Sequence, residues 1–332
     1  MNLFVLFLIS CKGCMSCWVM PPLPQVDPSD AKSDTGEVEE EEEPEDTGDT
    51  ADPPPYVGCT WPEDEPNNYV TAPNELGMEE WACGVLDTAF DNDYFTFDVD
   101  SDAWLRVWLR GSEILTNADP RAFVLDERGE FTATLEDGYL TSDIDNTFKL
   151  DEPRTMYLAV LEQNGLFGDD YEWEMRVSVV KPPTTWNTEE VEDNDSTATA
   201  NVIEDGTRIF GRVEYISRYD YYSLTIDDEK SAVDLELEAF RFGSPLNAEL
   251  VVRDPSGEEL VRTAYSGSSP DPQISFTAMD PGEYIVRVGS CCEDDSGPSH
   301  AGLPYWYVLS TTVTPDTSSG SGGDSDSDDT GE

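Results

Sequence analysis

The sequence predicts an all-β chain, with two tandem β-sandwich domains set between a disordered acidic linker and a disordered acidic tail. Three observations predict it: an internal repeat, period-two alternation of apolar residues within each copy, and ends too acidic and too poor in apolar residues to bury a core.

The repeat sets the domain plan. Glu63-Asp-Glu65-Pro-Asn67-Asn68, Asn74, Gly84 and Asp93-Tyr94-Phe95-Thr-Phe97 return as Glu190-Val-Glu192-Asp-Asn194-Asp195, Asn201, Gly211 and Asp220-Tyr221-Tyr222-Ser-Leu224, all at an offset of 127 residues. Further on, Leu125-Asp126 through Gly129 aligns with Val252 to Gly257, Pro153 to Leu158 with Pro281 to Ile285, and Tyr171-x-Trp173 with Tyr305-x-Tyr307. The plan is an export region (1–17), a linker (18–58), a first sandwich (59–180), a hinge (181–185), a second sandwich (186–314) and a tail (315–332).

Each copy reads as strands. Phe95, Phe97 and Val99 alternate with polar residues, as do Leu105, Val107 and Leu109; Trp173, Met175, Val177 and Val179; and Val233, Leu235 and Leu237. Successive strand side chains point to opposite faces, so these sets line a core. Turn signals such as Asp254-Pro-Ser-Gly257 and Asp280-Pro-Gly282 separate the runs, and no long stretch has helical periodicity.

The 332 residues carry 18 Lys plus Arg against 72 Asp plus Glu, a formal net charge of −54. Nucleic acid and anionic membrane surfaces are excluded as partners by repulsion, and the balance suits an extracellular protein that captures cations. Residues 1–11 form an apolar export segment too short to span a bilayer as a helix. Its end, Leu8-Ile9-Ser10-Cys11, resembles the lipobox of bacterial lipoproteins, which implies a lipid on Cys11 and an envelope or cell-surface location; secretion without lipid is the alternative. The linker, with its run Glu39 to Glu43 and Pro53-Pro54-Pro55, extends by self-repulsion and could span up to roughly 120 Å at about 3 Å per residue. Export permits disulfides. Cys59 precedes the first copy and Cys83 sits where the second has Phe210, so these two are expected to pair. Cys291 and Cys292 then form a vicinal bridge or stay free.

The ordered motif set resembles the bacterial pre-peptidase C-terminal domain, a family with a leading Glu-x-Glu-x-Asn-Asp, a later Asn, a Gly step and an Asp-x-Asp-Tyr-Phe strand. The resemblance covers 61–180 and 186–314. It implies a jelly-roll-like sandwich of the kind appended to secreted proteases. It also implies calcium binding in some members, and collagen or polysaccharide binding in others. The catalytic partner usual in that family is missing from this chain.

Two sets of residues stand out as sites. A hard cation takes several oxygen ligands at once. The resemblance places calcium between the leading segments and the carboxylates before the Asp-Tyr strand: Glu63, Glu65, Asn67, Asn68, Asp91 and Asp93 in the first copy, and Glu190, Glu192, Asn194, Asp195 and Asp220 in the second. The bland alternative is that these residues make turns and face water. Second, Trp104, Arg106, Trp108 and Arg110 alternate with core positions and should lie on the sandwich's outside, as a ligand face, a docking face toward Asp234, Glu236 and Glu238, or ordinary cross-strand packing. No catalytic motif is present, and the single histidine is His300. The expected function is therefore a non-catalytic binding or adhesion protein for extracellular polysaccharide or protein. The alternative is a hydrolase using sandwich carboxylates.

Overall fold

A computed structural model describes residues 59–315 apart from 90, 127, 136–142, 215–217, 265–270 and 292–300. Cys11, the 1–58 region, His300, Cys292 and the tail after 315 fall outside the described residues, and with them the lipidation, stalk and vicinal-bridge expectations. The described chain is all-β. The first sandwich is built from β1 (Trp61–Pro62), β2 (Asn74–Glu75), β3 (Trp81–Val85), β4 (Asp93–Val99), β5 (Ala103–Arg110), β6 (Pro120–Leu125), β7 (Phe131–Leu135), β8 (Ile144–Leu150), β9 (Arg154–Glu162) and β10 (Glu172–Val180). The second is built from β11 (Thr188–Glu189), β12 (Asn201–Ile203), β13 (Arg208–Arg212), β14 (Asp220–Ile226), β15 (Ser231–Glu238), β16 (Ala248–Arg253), β17 (Glu259–Thr263), β18 (Gln273–Ala278), β19 (Gly282–Ser290) and β20 (Trp306–Thr314).

The two topologies are identical. The orders β1-β3-β10-β5-β8 and β2-β4-β9-β6-β7 in the first sandwich recur as β11-β13-β20-β15-β18 and β12-β14-β19-β16-β17 in the second. The short leading strands pair in parallel, β1 on β3 and β2 on β4 in the first sandwich and β11 on β13 and β12 on β14 in the second, and the remaining pairs are antiparallel. The alternating residues face inward as their spacing requires: Phe95, Leu105, Val107, Leu109, Trp173, Met175 and Val177 are all closed to solvent, and so are Val233, Leu235 and Leu237. Val179 departs from this pattern. It is 54% exposed, because the end of β10 runs past the core to the mouth of a cleft.

The parity read for β5 holds, but the expected open face does not. Trp104, Trp108 and Arg110 are buried and Arg106 is half-buried. Arg106 lies over the Trp108 ring at 4.1 Å and bonds Asp145, while Arg110 lies over Trp81 at 3.7 Å and pairs with Glu174 at 3.2 Å. The guanidiniums thus cover the indoles of their own sheet. Trp104 is covered from outside, by Trp306 at 4.8 Å and by Trp186 and Phe210 at 5.9 Å each. The four residues form no open ligand site. The acidic strand of the second sandwich is not the docking partner either: Asp234 bonds Ser275, and Glu236 and Glu238 pair with Arg241.

This aromatic contact fuses the two cores. Phe210, Trp306 and Val308 belong to the same buried cluster as the first sandwich's interior. Polar bonds lock it: Trp306 Nε1 donates to the Thr147 carbonyl (2.6 Å), Thr147 N donates to the Gly243 carbonyl (2.7 Å), and Lys149 pairs with Glu189 (2.9 Å). The turn before Gly243 thereby covers part of the β8 edge, a place where unpaired strand groups would otherwise invite aggregation. The 181–185 segment is also held, since Arg208 bonds Thr184 and the Thr185 carbonyl.

Cys59 and Cys83 form a disulfide with Cα atoms 5.7 Å apart and a sequence separation of 24. Opening it in a Cys83→Ser variant should cost about 3 kcal/mol by loop entropy, read as a lowered denaturant midpoint. Trp104→Ala removes a buried indole and should cost about 3–5 kcal/mol. Calorimetry should show a single wild-type transition splitting or broadening into two in that variant; an unsplit transition within about 1 kcal/mol of wild type contradicts the fused core.

Candidate functional site: twin carboxylate cages

The leading segment of each copy runs beside the strand that carries its glycine. Glu63 Oε1 accepts the Val85 N–H (2.8 Å), and Glu190 Oε1 accepts the Arg212 N–H (2.5 Å). These bonds lay each glutamate across Gly84 or Gly211. A Cβ on Gly84 would overlap the Glu63 carboxylate, and one on Gly211 would lie 2.7 Å from Glu190 Oε2. The glycine step of the repeat is therefore a close-approach position.

Each segment then turns inward. Asn67 and Asn194 are fully buried, and their carbonyls accept the N–H groups of Tyr94 (3.1 Å) and Tyr221 (3.0 Å) at the start of the Asp-Tyr strands. Asn74 and Asn201 clamp the segment further: Asn74 accepts from Asp64 N (2.8 Å) and donates to Asp64 O, while Asn201 does the same at Val191 (2.7 Å for the N–H). The result is two equivalent clusters, Glu63 with Glu65 and Asp93, and Glu190 with Glu192 and Asp220. In each, one carboxylate oxygen per residue lies within 4.8 Å of the others.

Three acids this close, one of them buried, resist ionisation. Burial, opposed by the Val85 N–H, raises Glu63 to about 7. Burial and the Glu63 charge raise Asp93 to about 9. Burial raises Glu190 to about 7, against the Tyr222 hydroxyl, and it also raises Asp220, with the Glu190 charge adding to the effect. Glu192 is raised for the same first reason.

The two cages differ in their donors. Trp173 Nε1 donates to Asp93 (2.8 Å). Opposite Gly211 stands Tyr307, whose hydroxyl donates to Asp220 (2.6 Å) and meets the Tyr222 hydroxyl at 2.6 Å; Tyr222 in turn donates to Glu190 (2.8 Å). Trp173, Tyr222 and Tyr307 were not singled out from the sequence. The available signal was a polar-tipped aromatic on a core strand, which needs a buried partner.

Not every expected ligand joins a cage. Asp195 pairs with Arg218. Asn68 accepts from the Asn92 N–H (3.1 Å), and Asp91 accepts from the Asp87 N–H (2.9 Å). These three lie outside the tight three-carboxylate groups, although the charges of Asp91 and Asp195 still act on Asp93 and Asp220. The rest assemble.

The donors fit a hard cation, since each cage offers carboxylate and amide oxygens and no sulfur or imidazole. Two further observations favour such a guest. Asn194 Oδ1 is buried without a hydrogen-bond partner, while the same amide's nitrogen reaches Glu190 (3.0 Å). Asn67, in the orientation that suits its neighbours, donates to Glu65 and Asp93, each at 3.2 Å; half a rotation would turn its oxygen to the same space.

Residues 218–290 match the family model described as the bacterial pre-peptidase C-terminal domain. The match spans β14 to β19 and includes Asp220 of the second cage. Among solved structures, the pre-peptidase C-terminal domain of a Bacillus anthracis collagenase is 19% identical, with 31% of this chain and 92% of that chain covered and a TM-score of 0.26. A carbohydrate-binding module (CBM51-2) with INT domains from Clostridium perfringens ZmpB, in complex with GlcNAc, is 11% identical, with 47% and 36% covered and a TM-score of 0.23. The CBM22 tandem of Paenibacillus barcinonensis Xyn10C is 6% identical, with 66% and 82% covered and a TM-score of 0.21. Superposition this loose carries no functional weight. No curated protein matches the chain. The match over 218–290 is consistent with a non-catalytic binding role.

The raised carboxylates set a pH dependence. A group whose folded pKa lies above its unfolded value of about 4 favours folding while protonated, and that support is lost as pH rises. Chelator-treated protein should therefore lose thermal stability between about pH 4.5 and the folded values of about 7 for Glu63 and Glu190 and about 9 for Asp93. A Glu63→Gln/Glu190→Gln variant should show a shallower fall. Parallel curves for variant and wild type contradict the cages.

Proposed function

We propose that the chain is an exported, non-catalytic binding protein whose two sandwiches are each closed by one calcium ion. The observation that carries the calcium is the buried Asn194 Oδ1, unpartnered beside three crowded carboxylates. Glu190, Glu192, Asp220 and the Asn194 oxygen would hold the ion in the second sandwich; Glu63, Glu65, Asp93 and the Asn67 oxygen would hold it in the first. The ion would supply the positive charge that lets these acids ionise together. The protein's own residues do the positioning: the glycine admits the glutamate, and the asparagine ties the leading segment to the Asp-Tyr strand.

We further propose that the first sandwich is a diverged copy of the matched domain, which its identical strand order supports. Lipidation at Cys11 and the acidic 18–58 stalk would hold the pair away from a cell envelope, with extracellular polysaccharide or protein as ligand. Among the described residues no helix is long and apolar enough to cross a membrane. A hydrolase would need its acid pair open to substrate, whereas Asp93 is 0% exposed and Asp220 4%.

Calcium should raise the unfolding midpoint of chelator-treated protein, by about 2.7 kcal/mol per site at a hundredfold excess over Kd, with magnesium as the control. Asn194→Leu and Gly211→Ala should each remove about half of that gain. A midpoint unmoved by calcium contradicts the ion. A panel of matrix proteins and glycans tests the wider reading: saturable binding without turnover supports it, and turnover of a glycan or peptide overturns it.

A further inference from the structure

The exposed Val179 marks the mouth of a cleft of about 590 Å³ beside the junction of the sandwiches. That volume is typical of a small-ligand site. The floor is apolar, with the half-buried Trp186 beside Val179 and Val180, and the buried Trp104 packs behind that indole. Trp186 begins the second sandwich's span and packs on its Phe210, so the complete lining needs the joined pair.

The rim is acidic. Asp98 near the end of β4 and Asp100 and Asp102 of the β4–β5 connection line it, and all three are exposed. Asp98 accepts the Thr155 hydroxyl (2.6 Å). The cation in the lining, Lys149, is already committed to Asp151 (3.0 Å) and Glu189 (2.9 Å), so the field over the cleft is negative. An apolar, indole-bearing floor under a carboxylate rim matches one side chain above others. Arginine lays its methylenes on apolar surface, its guanidinium plane on an indole, and its N–H fork on carboxylates.

The second sandwich supplies an internal comparison. The same end of that sandwich has a cavity of about 440 Å³, rimmed by Asp227 and Asp228. There Ala232 stands where the first copy has Trp104, and no aromatic lines the cavity. The rim recurs and the indole floor does not.

We infer that the cleft between the β4–β5 connection and Trp186 receives an arginine side chain from a protein partner. This rests on the reading of the chain as a binding protein, and it selects protein over polysaccharide as the ligand at this place.

The probe is the blocked tripeptide acetyl-Leu-Arg-Leu-amide, with citrulline replacing arginine as the uncharged isostere. It is titrated into the calcium-loaded full chain and followed by tryptophan fluorescence and calorimetry. Salt is kept at about 150 mM, which holds diffuse attraction to within about 8 Å. The arginine peptide should bind saturably and the citrulline peptide about tenfold more weakly, the scale of a paired and stacked guanidinium. Asp100→Asn/Asp102→Asn should weaken binding by a similar factor, and Val179→Lys should abolish it by placing a cation in the mouth. Removal of the same charge elsewhere, by Glu258→Gln/Glu283→Gln, should change nothing. Equal affinity for the two peptides, equal loss in both charge-removal variants, or no saturable binding would overturn the assignment. Continued binding of a matrix protein or glycan by Val179→Lys would sink the cleft and leave the wider binding reading intact. Tripeptide binding with no macromolecular ligand would do the reverse.

Discussion

Three carboxylates crowded at the entry of each sandwich are the constraint on which the rest of the architecture turns. Their crowding explains features of the repeat that otherwise look unrelated. The glycine is bare because a glutamate lies on it. The asparagine is buried because it must hold the leading segment and face the acids at once. The aspartate that begins the core strand is buried against Trp173 or Tyr307, because a carboxylate there needs a donor. The second cage, with two tyrosine hydroxyls, is better supplied with protein donors than the first, where Phe95 stands in place of Tyr222. The first cage should therefore gain more from a cation.

The two sandwiches are not interchangeable beads. Trp104 projects from the first onto Phe210 and Trp306 of the second. At the equivalent position of the second sandwich stands Ala232. At the first sandwich's equivalents of Phe210 and Trp306 stand Cys83, bridged to Cys59, and Glu172. Each sandwich thus has one adhesive end and one end without the aromatic interlock, and the adhesive ends face each other. The same contact creates the cleft at the junction, so the fused core and the proposed binding place share a cause.

Much of this was legible in the sequence, for a physical reason. Strand parity depends on neighbours along the chain, so Leu105, Val107 and Leu109 could be placed inside from their spacing alone. The cages were legible because their ligands come mostly from one short segment repeated twice. What covers a face depends on residues far away in the chain. Spacing puts Trp104 and Trp108 on the correct side of β5 but does not choose among ligand face, docking face and packing: Trp104 is covered by Trp306 from far along the sequence, while Trp108 is covered by Arg106 at 4.1 Å and by the distant Arg176. Val179 kept the alternation but lay beyond the end of the core, where periodicity carries no information. Asp195, Asp91 and Asn68 are the right residue types for ligands but bond nearer partners and fall outside the tight carboxylate groups.

The most direct test of the cation-closed cages is a calorimetric titration of chelator-stripped protein with calcium near pH 7.5, run in two buffers of different ionisation enthalpy. The account predicts two ions per chain and net proton release, because acids held near 7 and 9 must give up protons as the ion enters. It also predicts that Glu63→Gln and Glu190→Gln each remove one ion. Absence of binding heat, or heats identical in the two buffers, would contradict it.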